Sequence, residues 1–253
     1  MRDLENIFQV SVASFLRPME QLTSHPHKIY VDPLWNAEPP IIPRDRLEEF
    51  IEDAFHNYMQ LYEHHKRLVD KFHDIQRGQH PNIKSITSVM FSAALDWREA
   101  YLEYIPNYPI AAYRIDEEMR NNPAFKTFVK VCQCCFSYCL NKIPKVSKQC
   151  TRHMDAHRLD MKSFISRPIP RFLRYELLLR AIMDESPPDH EDRDEIPKVL
   201  DYIKALGKET EPGMQSAKNK VEVWRYNAHL VFKQGETVVG GMYFCSNRLN
   251  VMT

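Results

Sequence analysis

Apolar side chains recur every three or four residues along most of this 253-residue chain, and that spacing restricts its fold more than any other feature. From IIPRDRLEEF onward the apolar positions are Leu47, Phe50, Ile51, Ala54, Tyr58, Leu61, Leu68, Phe72 and Ile75. This is the period of an α-helical turn and not the two-residue alternation of a half-buried strand. It predicts one long helix, opened by Pro43 in its first turn, where a missing N–H is harmless, and closed by Gly78. A second helix over about 83–105, with Ile86, Met90, Ala93, Trp97, Tyr101 and Tyr104 on one side, is expected to stop at Pro106.

Further helices follow from local signals. Asn107 and Asn122 each stand just before a proline and predict starts for helices over roughly 109–120 and 123–136. A helix over about 159–166 leads into PIPRFLRYELLLRAIM, which Ser186–Pro188 closes. The last helix should run from Asp192 to about Phe232 with a kink or break at Pro212-Gly213, since an interior proline costs ~3 kcal/mol or more. Residues 233–253 lose the period and read as an irregular tail. The expected fold class is all-α, an elongated helical bundle.

Composition excludes several functions. Six glycines against 17 prolines argue against a βαβ nucleotide-binding fold, whose turns need glycine. Neither G-x-G-x-x-G nor a P-loop occurs. Thirty-four basic and 34 acidic residues cancel, so nothing global draws the chain to nucleic acid or to an anionic membrane. No run approaches the ~20 apolar residues of a membrane span. The acidic N-terminus lacks the apolar stretch of a signal peptide.

Six cysteines, five of them within 132–150, are too few for a disulfide scaffold and fit a reducing, cytoplasmic setting. Cys132 and Cys135 stand at knuckle spacing, but His153 and His157 lack the glutamate of a zincin helix. The stretch 132–150 is therefore read as a passive inserted loop, with no metal and no cofactor expected. The His64-His65 pair and the acidic run Asp189–Glu195 read as solvated surface. No nucleophile–base motif suggests covalent chemistry.

The informative stretch is 162–184, KSFISRPIPRFLRYELLLRAIMD. It describes a helix apolar almost all round yet interrupted by Arg171, Arg174, Glu176 and Arg180. Arginines in that setting either cover a core edge with their stems or meet a partner. RPIPRFLRYELLLRAIM followed by SPPDHEDRDEIPKVLDYIKAL resembles the third conserved region of Dbl homology domains. That region joins a K/R-P-x-x-R-x-x-K/R-Y-x-L-L-L element to a T/S-P-x-D/E-H-x-D turn and a long final helix. Weaker collinear similarity through PIIPRDRLEEFIEDAFHNYMQLYEHHKRL and Leu102–Phe125 extends it, giving one such domain over 1–232. The style resembles fungal Rho-directed exchange factors.

The resemblance implies a guanine-nucleotide exchange factor that binds the switch regions of a Rho-family small GTPase and releases GDP without covalent chemistry. It implies GTPase-binding roles for Arg174, at the basic position facing switch II, for its apolar neighbours Leu173 and Leu177, and for Glu211 on the last helix, where the family usually places Asn or Asp. The first-region glutamate that grips switch I has no match, because RDLENI begins after it, and no pleckstrin homology domain follows. The expectation is a chain cut at both ends, cytoplasmic, with recruitment to the cell cortex in a fuller form. The alternative is a non-catalytic GTPase-binding or scaffold module.

Overall fold

The computed structural model describes residues 30–79, 83–133, 160–190 and 192–229. Among the described residues there is no strand, and the regular elements are eight α-helices: α1 Asp32–Trp35, α2 Arg44–Phe55, α3 Tyr58–Gln79, α4 Thr87–Asn121, α5 Pro123–Gln133, α6 Met161–Ser166, α7 Pro168–Glu185 and α8 Asp192–His229. The expected loop 132–150 from residue 134 onward, and the tail 233–253, lie outside the described residues.

The 35 residues of α4 and 38 of α8 form the frame. At 1.5 Å per residue they extend over roughly 50 Å, which makes the bundle elongated. They run in the same direction: Asp192 meets Thr87, Arg98 donates to Glu209, and the Tyr113 ring packs at a tilt against Trp224 at the far end. On α4's other flank α2 and α3 run back antiparallel, from Arg46 near Glu118 to His65 against Trp97. α7 also runs antiparallel, lying on both long helices, with Phe172 against Tyr101 of α4 and beside Gly207 of α8.

The expected single helix over 43–78 is two. The chain breaks at His56, whose backbone takes a φ of 44°, while its N–H still bonds the Glu52 carbonyl at 2.8 Å. Asn57 ties the joint to α4 by donating to the Ala100 carbonyl at 2.9 Å. Gly78 lies inside the last turn of α3 rather than beyond it. The start of α5 is as expected: the Asn122 side chain accepts the Phe125 N–H at 3.0 Å with Pro123 in the first position.

Pro106 does not stop the second helix, for α4 passes through both Pro106 and Pro109. Each proline removes a helical N–H, but burial of Tyr104, Ile105, Ala111, Tyr113 and Ile115 on either side holds the segment. Asn107, expected to start a new helix, instead lies within α4 and donates to the Asp53 carbonyl of α2. Likewise α8 continues unbroken through Pro212 and Gly213. A Cβ added to Gly213 would stand 2.8 Å from Cγ of Pro106. The missing side chain is what lets α8 lie directly on the α4 proline.

The acidic run is not uniformly solvated. Asp189, Asp194 and Glu195 are exposed, but Asp192 is buried. Its carboxylate accepts from Ser85 Oγ at 2.5 Å, Thr87 Oγ1 at 2.5 Å and the Ile86 N–H at 3.0 Å. A carboxylate at the first turn of α4 satisfies donors that the helix itself leaves open and suits the positive end of the helix dipole.

Candidate functional site

The informative stretch folds as α6 and α7, and α7 separates its residues into two sides. Arg171, Phe172, Tyr175, Leu179 and Ile182 face inward and are buried. Leu173 and Leu177, one turn apart, point outward with 61% and 66% of their surface exposed, and Arg174 beside them is exposed as well. Together the two leucines make an apolar patch on the exposed side of a helix whose other side is seated in the core.

The two readings of the arginines divide between residues. Arg171 turns inward, 5% exposed, with its guanidinium 4.7 Å from the Tyr175 ring centroid. Arg180 pairs with Glu176 one turn back at 3.0 Å, and Lys204 of α8 reaches the same carboxylate at 3.7 Å. That contact marks the junction of α7 with α8. Among the described residues no ion pair or side-chain hydrogen bond engages Arg174 or Glu211.

The structure thus brings Leu173, Arg174 and Leu177 together on one open face. Glu211 stands apart from them on α8 and is exposed. It follows Lys204 by about two helical turns and so lies near the same side of α8, the side next to α7. Among the described residues no group of three histidine, cysteine or carboxylate side chains is arranged to hold a metal ion. Nor is any helix there long and apolar enough to cross a membrane.

Behind the open face lies a polar core that the sequence reading missed. His65, expected at the surface, is 1% exposed. Its Nε2 is 2.7 Å from the Tyr101 hydroxyl and its Nδ1 is 2.9 Å from that of Tyr175. Tyr101 in turn donates to the Pro168 carbonyl at 3.3 Å. Burial first, then the positive charge of Arg171, lowers His65 to about 3 and keeps the ring neutral. The same burial raises the Tyr101 and Tyr175 hydroxyls above their ordinary range. The available signal was spacing: His65 stands between Leu61 and Leu68 on the apolar stripe of α3. His64, next to it, is half-buried and shares a contact with Arg67.

Comparison with known proteins supplies the relatives. The RhoGEF domain family model matches residues 13–211. Rho1 guanine nucleotide exchange factor 1 of Schizosaccharomyces pombe is 23% identical over 222 residues, covering 88% of this chain and 15% of the relative. RHO1 GDP-GTP exchange protein 2 of Saccharomyces cerevisiae is 24% identical over 199 residues, covering 78% of this chain and 13% of the relative. The chain therefore spans about a seventh of the length of these curated relatives. Among solved structures, the PDZ-RhoGEF DH/PH domains in complex with activated RhoA superpose with a TM-score of 0.63 at 18% identity, over 89% of this chain and 57% of that one. The DH/PH domains of p115-RhoGEF give 0.63 at 15% identity, over 89% and 55%. These likenesses establish the helical fold.

Proposed function

The chain belongs to the RhoGEF domain family, and on that premise we propose that it releases GDP from a Rho-family small GTPase by binding its switch regions through the open face of α7 and the adjoining side of α8. One observation carries the reading: Leu173 and Leu177 stand open beside Arg174, on a helix whose opposite side is buried. In this reading the leucines bury apolar surface on the GTPase and exclude water around the guanidinium. Arg174 then donates to switch II from a site where a charge-assisted hydrogen bond counts for more. Glu211 contributes an acceptor from α8. The relatives' names, which speak of exchange on Rho1, support the choice of partner.

Release needs no covalent step. A protein that binds the nucleotide-free GTPase more tightly than the GDP-bound form must weaken GDP binding by the same factor. A cytoplasmic place of action, with recruitment to the cell cortex, belongs to the same proposal. The test is release of a fluorescent GDP analogue from a fungal Rho1-type GTPase with this chain in catalytic amount. Accelerated release, abolished by Leu177→Glu, is the expected result. No acceleration and no complex with the nucleotide-free GTPase would refute it.

A further inference from the structure

We propose that the buried hydrogen-bond chain joining Tyr175, His65, Tyr101 and the Pro168 carbonyl is a positioning device that fixes the rotation of α7 and so aims Leu173, Arg174 and Leu177 outward. The inference rests on reading that face as the GTPase contact. The chain of bonds leaves α7 at Tyr175, crosses His65 of α3 and Tyr101 of α4, and returns to α7 at Pro168. It therefore holds α7 at two points about two turns apart.

The direction of each bond follows from donor and acceptor counts. Tyr101 gives its proton to the Pro168 carbonyl, which can only accept. Its oxygen must then accept from His65, so the proton sits on Nε2. Nδ1 is left with a lone pair, which takes the Tyr175 O–H. A neutral imidazole is what this arrangement requires, a rigid ring with one donor and one acceptor on opposite sides.

Apolar contacts alone would hold α7 less specifically. Phe172, Leu179 and Ile182 gain from burial in any direction, whereas a hydrogen bond weakens steeply when its angle closes. A turn of α7 by one residue, about 100°, would carry Leu173 toward the core and would also leave His65 and Tyr101 buried without their partners. Tyr175 lies two residues from both Leu173 and Leu177, on the reverse side of the helix. The pin and the working face are thus back to back.

Tyr175→Phe removes one hydroxyl and keeps the ring, and Tyr101→Phe removes the bond to the Pro168 carbonyl together with the one accepted from His65. Phe125→Leu, at the α2–α5 contact with Phe50, serves as a control that loosens the fold elsewhere. On the whole chain, three quantities are measured: melting temperature, hydrogen exchange of the α7 amides, and GDP release from a Rho1-type GTPase. Both tyrosine variants should speed α7 amide exchange and slow GDP release by about tenfold or more, the scale of one or two lost hydrogen bonds. The control, compared at equal loss of melting temperature, should change neither. Unchanged α7 protection, or protection that follows melting temperature as in the control, would overturn the proposal. So would lost protection with GDP release intact. If the wild-type chain releases no GDP, the partner assignment fails, and the amide exchange still decides whether these residues pin α7.

Discussion

The ring of Pro106 on α4 occupies the space where Gly213 on α8 has no side chain. A Cβ there would come within 2.8 Å of its Cγ and 3.1 Å of its Cβ. Two residues that each argue locally against a helix thereby let the two longest helices lie directly on one another. Elsewhere in the bundle the opposite case occurs, for nothing lies within 4 Å of a Cβ added to Gly78.

The two glycines should respond to alanine with opposite signs. Gly78→Ala should stabilise by up to about 1 kcal/mol, the ordinary helix-propensity gain. Gly213→Ala should destabilise by about 1–3 kcal/mol, because a proline ring cannot swing aside. Chemical denaturation of both variants checks this, and a stabilising Gly213→Ala would contradict the close contact.

Asp192→Ala strands the Ser85, Ile86 and Thr87 donors at the start of α4. A loss of about 3 kcal/mol is expected, from unsatisfied buried groups and a lost cap. Affinity of the folded protein for its GTPase should be unaltered. A variant as stable as the wild type would show that the carboxylate does not cap α4.

His65 gives the protein a predictable acid sensitivity. Its native value lies near 3, while the unfolded chain takes up the proton near 6.5. Above 6.5 neither state is protonated and the group has no effect. As the pH falls from 6.5 toward 3 only the unfolded state gains a proton, so stability declines by up to about 1.4 kcal/mol per unit. His65→Gln lacks this term. The wild type's stability relative to His65→Gln should therefore shrink by about 2 kcal/mol between pH 7 and pH 5. A pH-independent difference in denaturation free energy would contradict a buried neutral imidazole.

The helical class and the placement of α7 and α8 were legible because they rest on local periodicity and on the motif around RPIPRFLRYELLL. The break at His56 was not, since Ala54, Tyr58 and Leu61 keep helical phase across it and neither His56 nor Asn57 is a helix breaker. Pro106 and Pro212 misled for the opposite reason. Their local cost is real, but packing with residues distant in the chain outweighs it, and Gly213 declares nothing about Pro106 until the helices are laid together. Asp192 and His65 are polar residue types that suggest surface, while their position on the inward side of their helices buries them. The open face of α7 was half legible: composition gave the leucines and arginines, and only the inward pull of Tyr175 and Arg171 assigns which of them face out.

The most direct test of the account joins melting temperature to GDP release on one variant, Arg174→Ala. Arg174 is exposed, so the substitution should shift stability by only ~0.5 kcal/mol. It should weaken binding to the nucleotide-free Rho protein by ~1–3 kcal/mol, the range for losing a charge-assisted contact, and slow GDP release in proportion. A large fall in melting temperature with affinity and GDP release unchanged would contradict the assignment of this face to the GTPase.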